Sequence, residues 1–388
     1  MSSRTRVFVL AISIPVVAFA VIGGYLGQAI AKDTTYQHLR VFEDVVSLVL
    51  NNYVETVDVK QAMKGAMKGL AEGLDADSAF LTPDLVKDLE SNTSAGPADI
   101  GLDVMRQYYL RVVSARDGSP AARAGIRTGD FIRAIDNRPT RDMSAFEGSR
   151  LLRGAAGSRV SLLVIRGNAA DPHVIDLVRE RQTVPELSSK MAEPGVGYIR
   201  VVDFSKDSAS RVKQAADALA KMGASKYIID VRGNARGDVD DGIAAARLFV
   251  KSGTLAVKLM RGDQKETVSA QGADGAITAP IALLVDQGTA GAAEVFAAAL
   301  DGNNRADLVG EHTLGRAARQ RLIKLPDNSG LWLTYLRYLT PAGNPIHEKG
   351  LEPDVDVEQP EIEFGSDPPT TDAPLLKAIE RLAQKKAA

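Results

Sequence analysis

From residue 195 onward the sequence alternates between short apolar runs and amphipathic stretches, and no other feature limits the fold so tightly. "VGYIRVVDF" reads as a strand, "SASRVKQAADALAKMG" as a helix, "KYIIDVRG" as a strand and "DVDDGIAAARLFVKSG" as a helix. "LAVKLM", "IALLVDQG", a helix from residue 289, "RADLVGEHT" and the hairpin-like "RLIKLPDNSGLWLTYLRYLTPAG" follow. Strands alternating with helices need crossover connections, so this stretch predicts an α/β layered domain around a largely parallel sheet. Its sharpest turn lies in "DQGTAGAAEVFAAAL" (286–300), where an apolar strand passes through Gly288 into a helix. The first N–H groups of such a helix have no intrahelical partner and face any oxyanion formed there. The turn is built like one that presents a nucleophile. Yet Thr289, Ala290, Gly291, Ala292 and Ala293 supply neither serine nor cysteine.

With 388 residues, 45% of them apolar and 25% charged, the chain is long enough for two or three packed domains. The formal net charge of −2 gives no electrostatic case for nucleic acid. Absence of cysteine excludes disulfides, thiolate catalysis and cysteine metal sites. The histidines His38, His173, His312 and His347 are scattered, and neither metal nor cofactor is expected.

At the N-terminus, "MSSRTR" carries two arginines and residues 7–31 then run without a charge. Roughly 20 apolar residues suffice to cross a bilayer, and the arginines favour the N-in orientation. Residues 1–34 are therefore expected to be a single-pass signal anchor in the inner (cytoplasmic) membrane, with the bulk of the chain periplasmic or otherwise extracytoplasmic. The alternative is a cleaved signal, with "AIA" (29–31) as the peptidase site and Lys32 as the new terminus.

Residues 35–96 form a helical region. Phe42, Val45, Val46, Val49, Leu50 and Tyr53, then Ala62, Met63, Ala66, Met67, Leu70 and Leu74, recur at helical spacing. "DADSAFLTPD" supplies turn and capping residues between helices. Residues 97–182 change to short strands with Gly and Asp turns. Within them "SAFE" (144–147) is a capping box in which Ser144 and Glu147 satisfy each other's backbone N–H. "SPAARAGIRTGDFIRAIDNRPT" and "VSLLVIR" complete a segment that resembles a bacterial PDZ domain. The resemblance implies capture of protein or peptide C-terminal tails by strand addition, with Ile100, Gly101 and Leu102 as the carboxylate-binding turn. Asp99 stands where related bacterial domains often have glycine, and its charge is expected to weaken tail binding. The α/β domain is assigned to 183–360, and a Pro-rich connector with a closing helix to 361–388.

The order of helical region, PDZ domain and α/β domain resembles the carboxyl-terminal processing peptidases, or tail-specific proteases. "YIIDVRGNARG", "GAAEVFAAALDGNNRADLVGEHTLGR" and "LTYLRYLTPAGNPIHEKGLEPDVDV" carry the likeness, the last through Thr340, Pro341, Gly343, Gly350, Pro353 and Asp354. The resemblance implies a serine–lysine dyad assisted by glutamine. With Glu294 setting the register, the nucleophile position is Gly291, the base position Arg316 and the assisting position Gln320. In the oxyanion loop "NARG" the resemblance implies glycine where Arg236 stands beside Gly237, so a Cβ and a long cation are expected to intrude where backbone approaches a substrate; Ala292 follows the nucleophile position. Glycine has nothing to attack a carbonyl with, and an arginine stays protonated.

Two functions follow from this. The first is a catalytically degenerate member that binds tails or acts as a scaffold or regulator, as a homo-oligomer or in mixed oligomers with an active relative. The second is an active serine-type peptidase with substituted residues. There Thr289 is the only hydroxyl in the turn and His312 lies nearby in sequence; their structural roles would be helix N-cap and surface loop.

Overall fold

The structure, a computed structural model, describes residues 36–91, 96–167, 171–181, 187–360, 362–366 and 370–384, with Val16, Val17 and Phe19. The candidate anchor (7–31) and the candidate cleavage point after Ala31 lie almost wholly outside the described residues. No helix among the described residues is long and apolar enough to cross a membrane.

The chain divides into two compact units, Met1–Met67 and Lys68–Ala388. The first is helical over residues 36–52 (α1) and again where α2 (Val59–Glu72) begins. The apolar spacing that predicts α1 is real as periodicity, and Phe42, Val45 and Val49 remain exposed on it.

The second unit opens with β1 (Ala79–Leu81) and α3 (Pro83–Glu90). Here the structure corrects the expectation of a turn between helices. Residues 79–81 pair antiparallel with the long strand Gly330–Leu339, with Ala79 and Leu81 buried. Three residues are too few for a strand period to register in sequence.

The PDZ-like segment contains β2 (Ala98–Asp99), β3 (Leu102–Gln107), β4 (Tyr109–Ala115), α4 (Pro120–Arg123), β5 (Phe131–Ile135), β6 (Arg138–Pro139), α5 (Ala145–Leu151), β7 (Arg159–Ile165), β8 (His173–Val178) and β9 (Glu180–Arg181). Its sheet runs β3-β4-β5-β7-β8 with β6 on β5, so β3 is an edge strand. Ile100, Leu110, Ile132 and Leu162 fill the core behind it. The capping box forms as read. Ser144 Oγ accepts the Glu147 N–H (3.1 Å), and Glu147 Oε2 accepts the Ser144 N–H (3.2 Å).

The α/β region contains β10 (Ser188–Glu193), β11 (Val196–Arg200), α6 (Ser208–Lys221), β12 (Lys226–Asp230), α7 (Val239–Ala246), β13 (Thr254–Met260), β14 (Gln264–Ser269), β15 (Ile281–Val285), α8 (Ala292–Asp301), β16 (Ala306–Gly310), β17 (Ala318–Lys324), β18 (Gly330–Leu339), β19 (Val355–Asp356) and α9 (Ala373–Gln384). The main sheet runs β10-β11-β12-β15-β16-β19, parallel except for β10. Helices α6, α7 and α8 cover one face, where Phe296 packs tilted against Phe204 and edge-to-face against Phe249. Helix α9 covers the other through Ala378 and Leu382. All five residues of β15, "IALLV", are therefore buried, as expected for a central strand covered on both sides.

Two expectations are corrected. "LAVKLM" (β13) does not join the parallel sheet; it pairs antiparallel with β14 and β18 in a second sheet that also holds β1 and β17. Local periodicity carries no information on which sheet a strand joins. The helix read from 289 begins at Ala292, because Gly291 precedes it at φ +61° and ψ −115°, outside helical space.

Candidate active site

In open α/β sheets the loops beyond the carboxyl ends of the strands form the ligand crevice. Strand β12 runs there into the loop 233–238, and β15 into the turn 286–291. A cleft of about 510 Å³ opens between them, lined among others by Gly237, Gly291, Ala292, Arg316, Gln320 and Asp103. Five positions singled out from the sequence are thus brought together from three separate segments. Arg236 is not among the lining residues.

The turn is held by a hub of hydrogen bonds on Glu294, which is fully buried. Its Oε2 accepts the N–H of Gly291 (3.0 Å) and of Arg316 (2.7 Å). Oε1 accepts the N–H of Gly315 (2.6 Å) and the hydroxyl of Thr313 (2.6 Å). One carboxylate therefore fixes positions 291 and 316 relative to each other. Burial raises its carboxyl above the usual value, a rise that the four donors offset only in part. At Gly291 an added Cβ would meet only the Arg316 carbonyl oxygen, at 3.9 Å, so the position has space for a side chain. Its positive φ is nonetheless a conformation that L residues rarely adopt. A strained turn with room for a side chain is kept, and glycine occupies it.

The Arg316 guanidinium reaches Asp77, with Nε 2.8 Å and Nη2 2.7 Å from Oδ1. Nη1 lies 3.4 Å from the carbonyl of Val104 on the PDZ edge strand. Burial alone would lower the Arg316 pKa, but Asp77, with Asp103 and Glu294 beyond it, raises it above the ordinary value. This side chain is a fixed cation and no proton acceptor. Gln320 lies on β17 opposite Thr334, and its Nε2 donates to Thr334 Oγ1 (3.1 Å).

Arg236 behaves differently from the expectation that its cation intrudes where the backbone must approach a substrate. Its guanidinium is held by the PDZ domain at the cleft wall, with Nε 2.6 Å from Asp103 Oδ2 and Nη2 4.0 Å from Asp99 Oδ2. Ala235, Gly237 and Asp238 of this loop line the cleft, and at Gly237 a φ of +105° and a Cβ position 2.0 Å from the Phe204 carbonyl oxygen admit only glycine. The acidic partners Asp77 and Asp103 escape a reading of the sequence. They lie 239 and 133 positions from the arginines they bind, with no local pattern to mark them.

Thr289 is also not an N-cap, a role taken by Gly291. It is fully buried, donates to the Val231 carbonyl (3.1 Å) and accepts the Asp286 N–H (3.0 Å), so it braces the turn from behind. His312 is a partly exposed loop residue 3.5 Å from Glu352, as its structural reading expects.

In the PDZ turn, Ile100 is fully buried, Gly101 adopts φ +82° and Leu102 begins β3. Asp99 is not an isolated carboxylate. It accepts the Gly101 N–H (2.8 Å) and pairs with Arg116 (2.6 Å). The domain docks on the cleft's own loops, with Ser114 Oγ donating to the Gly233 carbonyl (2.7 Å) and Arg111 to Gln287 Oε1 (3.0 Å).

A family model described as peptidase family S41 matches residues 195–357, and one described as PDZ domain matches 111–166. The chain is 32% identical over 360 residues to a carboxyl-terminal-processing protease of Synechocystis, spanning 90% of this chain and 83% of that protein. It is 32% identical over 344 residues to the carboxy-terminal processing protease CtpA of Bacillus subtilis, spanning 87% and 72%. Among solved structures it is similar to a photosystem II D1 C-terminal processing protease, at TM-score 0.70 and 29% identity, covering 80% of this chain and 85% of that one.

Proposed function

The chain belongs to peptidase family S41, and from that premise we propose that it is a member without peptidase activity, which binds protein tails or scaffolds other proteins outside the cytoplasm. One observation carries the reading. The cleft holds Gly291 and Arg316 at the positions to which the family resemblance assigns nucleophile and base, and Arg316 is locked to Asp77. Acyl transfer needs a nucleophile and a base that can shed its proton, and neither is present there. The hydroxyl that a rebuilt site would use, Thr289, is committed to holding the turn. A protein of this kind sequesters tails, or regulates an active relative through mixed oligomers.

The test is incubation of the full-length protein in detergent with an unfolded, tail-exposed protein, beside a family member with an intact serine and lysine. Removing a nucleophile and base that act as a unit costs about 10⁶ in kcat. No fragments are expected over a period in which the active relative digests its substrate completely. Fragments whose yield tracks the purified chain through every chromatographic step would overturn the reading.

The same proposal has residues 7–31 hold the chain in the cytoplasmic membrane with the remainder outside. A reporter that is active only outside the cytoplasm, fused after residue 40, is expected to be active. Silence there, with activity from a cytoplasmic reporter at the same point, would reverse the topology.

A further inference from the structure

We propose that the carboxylate-binding position of the PDZ domain is already filled by the chain's own Asp99, so that the domain accepts extended peptide segments without requiring a free C-terminus. This rests on the reading of the chain as a binding protein, and names what that binding selects. A tail carboxylate in such a domain is held by backbone N–H groups of the turn, and a guanidinium beside it strengthens that hold through charge-assisted hydrogen bonds. Here Asp99 Oδ1 has taken both kinds of partner, the Gly101 N–H at 2.8 Å and Arg116 Nη2 at 2.6 Å. Its other oxygen, Oδ2, lies 4.0 Å from Arg236 Nη2, a second guanidinium. Asp99 and Arg116 are each only 8% exposed, so the pair stands in a low-dielectric setting where charge-assisted bonds are strong.

The geometry is fixed from several sides. Ala98 and Asp99 pair with Arg181 and Glu180, and Ala98 also exchanges backbone hydrogen bonds with Gly154 (3.2 and 2.9 Å). A Cβ on Gly101 would fall 2.1 Å from that of Ser119, so the amide that Asp99 caps cannot be rebuilt around a side chain. The Gly101 carbonyl accepts the Arg116 N–H (2.8 Å), which holds the cation's own backbone to the turn. A tail carboxylate competing for this place must displace an anion of the same chemistry that is covalently tethered beside its ligands. A tethered competitor acts at an effective concentration in the millimolar range. The free terminus thereby loses its advantage over an amide.

The experiment measures binding of ten-residue peptides with apolar C-termini, each synthesised as free acid and as amide, to the full-length protein in detergent. Wild type is expected to bind acid and amide within about twofold of each other. Asp99→Ala is expected to prefer the acid at least tenfold, and adding Arg116→Ala should abolish that preference. Because Asp99→Ala leaves a buried guanidinium short of a partner, Asp99→Asn is measured beside it; it keeps the side-chain volume and should move the ratio in the same direction. The Gly101 amide resonance provides a second readout. It should stay unshifted when acid peptide is added to wild type and shift in the variants. A wild-type protein that already prefers the acid tenfold, or variants whose ratio is unchanged, overturns the proposal and leaves the binding-protein reading standing. Failure of every form to bind any peptide overturns both.

Discussion

Glu294→Ala is expected to destabilise the Lys68–Ala388 unit by about 3–5 kcal/mol, measured as a fall in the denaturation midpoint at unchanged slope. The substitution leaves three backbone N–H groups, of Gly291, Gly315 and Arg316, and the Thr313 hydroxyl without their acceptor. An orphaned buried donor costs about 1–3 kcal/mol, and water entering the space left by the side chain recovers part of that. The remainder is a large share of the ~5–15 kcal/mol that holds a typical domain folded. Glu294→Gln should fall between, since it keeps one acceptor oxygen but aims an NH₂ group at donors. A loss below about 1 kcal/mol for the alanine variant would show that the carboxylate does not organise the turn. The prediction matters for function because the same carboxylate sets the spacing of positions 291 and 316. The hub therefore holds the turn and the Arg316 backbone as one unit, whatever side chains they carry.

That turn was legible in the sequence. The strand, the glycine turn and the apolar helix after it are local patterns, whereas the register on Glu294 came from the family resemblance. Gly291, Arg316 and Arg236 drew notice because they differ from the residues that the resemblance leads one to expect. What those residues do was hidden. Arg236 reads as an obstruction in the cleft, yet it ends on Asp103 across the domain boundary. Asp99 reads as a repelling charge, yet Arg116, 17 positions on, makes it the occupant of its own turn. In each case the partner lies on another element, and side-chain direction follows from tertiary packing that local periodicity does not encode. The same limit explains β1, where three residues become a strand only because β18 offers them an edge.

Introducing serine and lysine by Gly291→Ser with Arg316→Lys is expected to give only trace peptidase activity, for reasons the geometry supplies in order of size. The largest is Asp77. A lysine at 316 inherits a position where the present guanidinium lies 2.7 Å from a buried carboxylate. An opposite charge within ~4–6 Å favours the protonated amine, whereas the dyad needs a lysine that loses its proton near neutral pH. Residual activity in this double variant should therefore rise steadily with pH and still be rising at the ordinary lysine value of about 10.4. The second reason is the turn itself. At φ +61° and ψ −115° a serine has room, with the nearest atom 3.9 Å from its Cβ, but holds a conformation that costs about 1–3 kcal/mol. Arg236 comes last, since its side chain is turned to Asp103 and Gly237 still supplies the loop's backbone to the cleft. Adding Asp77→Asn is accordingly expected to raise activity at pH 8 at least tenfold over the double variant and to move the pH profile downward. Adding Arg236→Gly instead should give a smaller gain and no shift of the profile. If Arg236→Gly alone rescues the double variant while Asp77→Asn does nothing, the oxyanion loop and not the trapped base was the obstacle. Full activity from the double variant would mean that the Asp77 ion pair never forms with a lysine.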